Sequence, residues 1–135
     1  MAPALEVRDV ALRFGDVPVL NGVSLTVGEG EFVSLIGPSG SGKSTLLKVI
    51  GGLEPAERGE IRIDGRLASG ERGLIAYMPQ QSSLLPWRTV AGNIELALGI
   101  AGVPRGEAKR LAREWLARVG LADYADAWPH TLSGG

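Results

Sequence analysis

Alternation of apolar and polar residues is the first pattern along this chain. The alternation starts at Leu5, shifts phase at Asp9 and resumes as far as Phe14, and a second alternating run covers residues 23–27. A period of two residues predicts a β-strand with one buried face, and the phase shift indicates a kink or bulge. Because a Gly-Asp turn signal at residues 15–16 separates the two runs, the pattern predicts a small antiparallel sheet.

Two further segments are apolar with little alternation. They are residues 31–36, E-F-V-S-L-I, and residues 74–78, L-I-A-Y-M. Such runs are typical of strands that are buried on both faces of a parallel sheet. Between them, residues 61–63 alternate again and lead into Asp64-Gly65, which predicts a hairpin turn.

The sequence predicts helices in three places. A short apolar helix is predicted to stop at Gly51-Gly52, and Thr89 is a suitable N-cap for a helix near residues 90–98. The clearest helix stops at Gly120. It carries an apolar stripe with the spacing i, i+3, i+4, formed by Ala108, Leu111, Ala112, Trp115, Leu116 and Val119.

The segment that leads into the first helix carries the strongest chemical signal, because its residues fit the phosphate-binding pattern G-x-x-x-x-G-K-[ST]. Glycines let several N–H groups converge on an anion, and the lysine adds a charge for the outer phosphates. The serine after the lysine offers a hydroxyl to the Mg²⁺ that accompanies a nucleotide. The alternative is a glycine-rich turn in an unrelated α/β protein. The predicted site consists of Gly37, Pro38, Ser39, Gly40, Ser41, Gly42, Lys43, Ser44 and Thr45.

Composition narrows the class of protein. The 135 residues include 14 basic and 15 acidic side chains, so broad nucleic-acid binding by phosphate neutralisation is not expected. The basic face of the last helix includes Glu107 and Glu114, so it is predicted to be a solvated face, with a membrane- or nucleic-acid-binding surface as the alternative. Glu114 and Arg118 are spaced to pair across one turn. The absence of cysteine excludes disulfides and thiolate metal sites. Without a signal peptide or a long apolar run, the expectation is a soluble cytoplasmic protein.

A second motif, Leu132-Ser133-Gly134-Gly135, ends the sequence. The phosphate loop, then Gln80, then this tetrapeptide make the chain resemble the ATP-binding subunit of ABC transporters along its whole length. The resemblance implies an α/β fold: a P-loop NTPase core with an N-terminal antiparallel β subdomain and the start of an α-helical subdomain. The β subdomain and core would cover about residues 1–88, and the helical part about residues 89–135.

The resemblance also implies roles for single residues. Lys43 would contact the outer phosphates of ATP, and Ser44 would contact Mg²⁺. Gln80, in preference to its neighbour Gln81, would contact Mg²⁺ and the attacking water. Phe14 would stack on adenine, with packing in the core as the alternative. The signature residues would contact ATP bound to a second copy in a head-to-tail dimer, and they are Ser133, Gly134 and Gly135.

Residues 83–90, S-L-L-P-W-R-T-V, with Asn93-Ile94 after them, are similar to importers of the nitrate, sulfonate and taurine group. That similarity implies small-solute import, powered by ATP hydrolysis at the cytoplasmic face of the inner membrane. The implied partners are transmembrane permease subunits, a second ATP-binding subunit and a solute-binding protein.

The family continues after its signature with an apolar strand that ends in Asp-Glu, and later with a switch histidine. Neither follows here, and His130 precedes the signature. The expectation is therefore an N-terminal fragment of a transporter ATPase. The alternatives are a stand-alone nucleotide-binding module without turnover, and a soluble ABC ATPase of DNA repair or translation.

The 135-residue chain by itself is predicted to show no sustained ATP hydrolysis, because the family's water-activating glutamate is not among its residues. Release of inorganic phosphate over many turnovers is the measurement. Steady release that disappears in Lys43→Ala would contradict the prediction.

Overall fold

The computed structural model describes residues 2–133. The chain divides into two units, Met1–Met78 and Pro79–Gly135, and each is described by itself. The expected boundary near residue 88 between the core and the helical part stays a prediction. Within the second unit, Leu85 exchanges hydrogen bonds with Asn93, so the segment before its first helix folds with that helix.

A four-stranded antiparallel sheet forms the frame of the first unit. Its strands are β1 (Leu5–Phe14), β2 (Val17–Val27), β3 (Arg58–Ile63) and β4 (Arg66–Leu67). Their order in the sheet is β2-β1-β3-β4. The antiparallel subdomain is thus confirmed, with β1 as a central strand.

The phase shift at Asp9 is a β-bulge. Asp9 has a positive φ of 47°, and the register of β1 shifts there against both β2 and β3. The Asp9 N–H donates to Ser24 Oγ at 2.9 Å. Gly59 crosses the bulge so closely that a methyl group on it would lie 2.5 Å from the carbonyl oxygens of Arg8 and Asp9. A side chain does not fit at that crossing.

The predicted turns are confirmed. Gly15-Asp16 joins β1 to β2, with Phe14 paired to Val17. Asp64 and Gly65 have φ values of 49° and 76°, as a two-residue hairpin turn of type I′ requires.

Helix α1 (Lys43–Ile50) begins within the phosphate loop, at its lysine, and Gly51 is its C-cap. Its residues Leu46, Val49 and Ile50 are buried. They pack in one cluster with apolar residues of the sheet, namely Val7, Val10, Leu12, Leu20 and Ile61. The predicted short helix and its stop signal are confirmed.

The two predicted parallel strands are wrong for this structure. Residues 31–36 and 74–78 have no strand assignment, and Phe32, Ile36 and Met78 are more than 90% exposed, at 93%, 95% and 92%. A strand exists only through ladder hydrogen bonds to neighbouring strands. Among residues 2–133, the sheet contains only the four strands β1, β2, β3 and β4. The apolar pattern of the two segments alone therefore does not produce strands here.

The second unit contains α2 (Val90–Ile100), α3 (Arg105–Arg118) and two single-turn 3-10 helices. Thr89 is the N-cap of α2, as predicted, and its Oγ1 accepts a hydrogen bond from Gly92 N at 3.1 Å. The N–H groups of Val90 and Ala91 donate to the carbonyls of Ala127 and Ala125. Within the described part of the chain, no helix combines the length and hydrophobicity needed to cross a bilayer.

The buried stripe of α3 is narrower than its apolar spacing predicted. Ala108, Ala112 and Leu116 are buried, whereas Trp115 is 49% exposed and Val119 is 63% exposed. Helix α3 packs mainly against α2 and the 3-10 helix Ala122–Tyr124, and these neighbours leave Trp115 and Val119 largely uncovered.

The ion pairing on α3 also differs from the prediction. Glu114 pairs with Arg110 at 2.9 Å. Arg118 instead lies over the Trp115 ring, 4.4 Å from its centroid. A cation over an exposed indole is a favourable contact, and it occupies the guanidinium that was expected to pair with Glu114.

Asn93 holds the irregular segment before α2 in place. Its Oδ1 accepts from Leu85 N at 2.7 Å, and its Nδ2 donates to the carbonyls of Leu85, Arg88 and Thr89 at 3.0 to 3.3 Å. One partly buried side chain thus binds three backbone positions of this segment, while the neighbouring Trp87 remains 71% exposed.

Gly59→Ala is predicted to destabilise the protein by more than about 3 kcal/mol, because a positive φ and two close carbonyl oxygens both oppose a side chain. Gly70→Ala is the matched control, since Gly70 also has a positive φ, of 80°, but has no atom within 4 Å of the added methyl group. It should cost about 1 kcal/mol. Urea unfolding measures both, and equal losses would contradict the steric argument.

Asn93→Ala is predicted to raise the rate of tryptic cleavage after Arg88 about tenfold, since losing roughly 1.4 kcal/mol of net hydrogen bonding raises the open population by that factor. Cleavage after Arg118, at the far end of α3, is the internal control. An unchanged rate at Arg88 would show that Asn93 does not hold this segment.

Candidate functional site

The phosphate loop, residues 37–45, is seated directly on strand β2. Gly40 and Gly42 have φ values of 78° and 91°, in the left-handed region that favours glycine. A methyl group on Gly42 would lie 2.8 Å from the Val19 carbonyl oxygen and 3.1 Å from Leu20 Cδ2. The second glycine of the motif is therefore required both by its backbone conformation and by the approach to β2.

The Lys43 side chain is hydrogen-bonded to three acceptors of its own loop. Its Nζ donates to Gly37 O at 2.8 Å, to Pro38 O at 2.7 Å and to Ser41 Oγ at 3.0 Å. The loop thus converges on the ammonium group. The sequence signal identified Lys43 and Ser41 as members of one motif, but it did not reveal the bond between them, because that bond depends on how the glycines fold the loop.

The start of α1 provides the anion-binding part of the site. The first intrahelical bond runs from Leu46 N to Gly42 O at 2.8 Å, so the N–H groups of residues 43–45 precede the helical ladder and are donors without a helical acceptor. Such donors, with the positive end of the helix dipole, favour a phosphate group.

The residues at this end of α1 fit a nucleotide-bound Mg²⁺. Ser44 lies in the first turn and is exposed, so its hydroxyl oxygen is accessible to a hard cation. Mg²⁺ keeps several waters and shares phosphate oxygens with its nucleotide, so a single protein hydroxyl is a sufficient ligand. Among the described residues, no group of three or more His, Cys, Asp or Glu side chains forms a separate metal site.

Phe14 lies in the same unit as the phosphate loop. It is the last residue of β1, and it is 51% exposed. A ring that is half exposed is not packed in the core, so the structure argues against core packing as the role of Phe14. Stacking on adenine stays a prediction.

The predicted site residues Gln80 and Ser133, with the alternative Gln81, lie in the second unit. Gln80 and Gln81 are both exposed and precede α2, and Ser133 is exposed. Gly134 and Gly135 lie outside the described residues. His130 is an exposed residue of a single-turn 3-10 helix. The structure brings Gly37, Pro38, Ser41 and Lys43 together, and the roles of the second-unit residues stay predictions.

Comparison with known proteins identifies the family. The sequence profile described as "ABC transporter" matches residues 20–135. The methionine import ATP-binding protein MetN of Rhizobium etli is 47% identical over 94% of this chain and 37% of its own length. The aliphatic sulfonates import ATP-binding protein SsuB of Cupriavidus necator is 46% identical over 98% of this chain and 43% of its own length.

A solved structure is also similar. It is described as the dimeric structure of a post-hydrolysis state of the ATP-binding cassette MJ0796 bound to ADP and Pi. It is 32% identical, with a TM-score of 0.82, and the alignment covers 96% of this chain and 63% of that one. The chain spans about two fifths of the length of the MetN and SsuB relatives. The profile match and these relatives show that the chain belongs to the ABC transporter family, with the α/β fold of its ATP-binding domain.

Proposed function

We propose that the chain binds MgATP at the phosphate loop and is the nucleotide-binding part of an ABC import system. The observation that carries the proposal is the loop itself, in which Gly42 lies against β2 and Lys43 and the first turn of α1 surround one anion site. Family membership makes ATP the nucleotide that this site is expected to bind.

The chain's own residues would supply binding and charge neutralisation. The N–H groups at the start of α1 would donate hydrogen bonds to phosphate oxygens. The Lys43 ammonium group would contact the outer phosphates, and the Ser44 hydroxyl would bind Mg²⁺. The bound cation would neutralise charge that develops on the phosphoryl oxygens. Because phosphoryl transfer needs positioning and electrostatic stabilisation rather than covalent help, these groups form one half of a hydrolytic site.

The other half would come from the second unit and from a second copy. In this proposal Gln80 orients the attacking water, and Ser133 with Gly134 and Gly135 contacts the ATP held by the partner copy. The similar solved structure is dimeric and bound to ADP and Pi, which supports a dimer with nucleotide at its centre. ATP binding would then favour the closed dimer by differential affinity.

Import rather than export is supported by the names of three relatives, which are import ATP-binding proteins for methionine, sn-glycerol-3-phosphate and aliphatic sulfonates. These three differ in solute but are 46% to 47% identical to this chain. Identity at this level therefore does not select a solute. In an import system the chain would lie at the cytoplasmic face of the membrane, on permease subunits, with a solute-binding protein in the same system.

Lys43→Ala is predicted to lower the affinity for MgATP at least tenfold, since a charge-assisted contact to phosphate is worth more than about 1.4 kcal/mol. Lys48→Ala is the matched control, because Lys48 is an exposed lysine of the same helix, in its last turn. Titration calorimetry with MgATP measures both.

The control should bind as the unsubstituted protein does. Equal affinities in all three proteins would rule out Lys43 as a phosphate ligand. An equal loss in both variants would indicate a general charge effect in place of a specific contact.

A further inference from the structure

All three N–H donors of the Lys43 ammonium group have an acceptor within the phosphate loop. The acceptors are Gly37 O, Pro38 O and Ser41 Oγ, at 2.8, 2.7 and 3.0 Å. An ammonium group has three donors and no more. In this self-bonded loop, Lys43 therefore donates to a phosphate oxygen only after one of the three bonds is released.

The three acceptors differ in how easily they are released. The two carbonyls belong to the backbone at the start of the loop, and the loop is fixed at its other end, where Gly42 contacts β2. Ser41 Oγ makes the longest of the three bonds. It is also the only acceptor on a side chain, and an exposed serine changes rotamer without moving the backbone.

We propose that Ser41 is a latch on Lys43: its hydroxyl holds the ammonium group in the self-bonded loop and is the partner exchanged for a phosphate oxygen when nucleotide binds. This inference rests on the proposed nucleotide-binding function and adds a positioning residue to it. The bond to Ser41 stabilises the loop before binding and is lost in the complex, so Ser41 slows association.

Space in the loop agrees with this role. A methyl group on Gly37 would lie 3.0 Å from Ser41 Oγ, so the hydroxyl passes directly over the glycine whose carbonyl also binds Lys43. The first glycine of the motif thus leaves room for the latch. The φ angle of Gly37 is not in the left-handed region. Glycine is therefore favoured at this position because a side chain would crowd the Ser41 hydroxyl, and not because of its backbone conformation.

The test is the association and dissociation rates of a ribose-labelled fluorescent ATP, with Mg²⁺, measured by stopped flow on the purified protein. Ser41→Ala should raise the association rate about two- to fivefold, the effect of one exposed hydrogen bond, and leave the dissociation rate unchanged. Ser41→Thr keeps the hydroxyl and should behave as the unsubstituted protein does. Ser41→Cys, a weaker acceptor, should lie between them.

Each other outcome contradicts the latch in a distinguishable way. A faster dissociation rate in Ser41→Ala means that the hydroxyl contacts the bound nucleotide. Unchanged rates in all variants mean that the hydroxyl has no role in exchange. If the unsubstituted protein does not bind the nucleotide at all, the proposed function itself fails, and the latch fails with it.

Discussion

The close approach of Gly42 to strand β2 is the constraint on which the rest of the first unit depends. The Val19 carbonyl and the Leu20 side chain leave no room for a Cβ at this position. The contact between Gly42 and β2 fixes the position at which α1 begins. Helix α1 then buries Leu46, Val49 and Ile50 in the same cluster as the sheet's apolar residues. The anion site and the core are therefore built by one contact.

Local signals in the sequence were sufficient for many elements. The turn at Asp64-Gly65 and the cap at Thr89 each depend on residues within a few positions of one another, so they could be predicted without knowing the fold. The bulge at Asp9 was visible as a local phase shift, although its contacts with Ser24 and Gly59 are distant in sequence. The phosphate loop belongs to the same class, because its glycines, its lysine and its serine are adjacent in the chain.

Non-local features could not be predicted in the same way. An apolar run indicates that a segment is suited to burial, but ladder partners decide whether it becomes a strand, and residues 31–36 have none among the described residues. The predicted burial of the whole stripe on α3 was wrong for a related reason, because the elements that pack against α3 decide which of its residues are covered. The bond from Lys43 to Ser41 also required the folded loop. For the second-unit residues Gln80 and Ser133, the family pattern remains the only argument for a role in the site.

Electrostatics explains why the loop should hold its own lysine. The positive end of α1 and the Lys43 ammonium group converge on one region, and like charges at short range oppose that arrangement. The carbonyls of Gly37 and Pro38 and the hydroxyl of Ser41 direct partial negative charge at the ammonium group, so they offset the repulsion within the loop. A phosphate group brings full negative charges to the same place. Binding is then an exchange of weak negative partners for a strong one, and the loop needs little rearrangement of its backbone to make it.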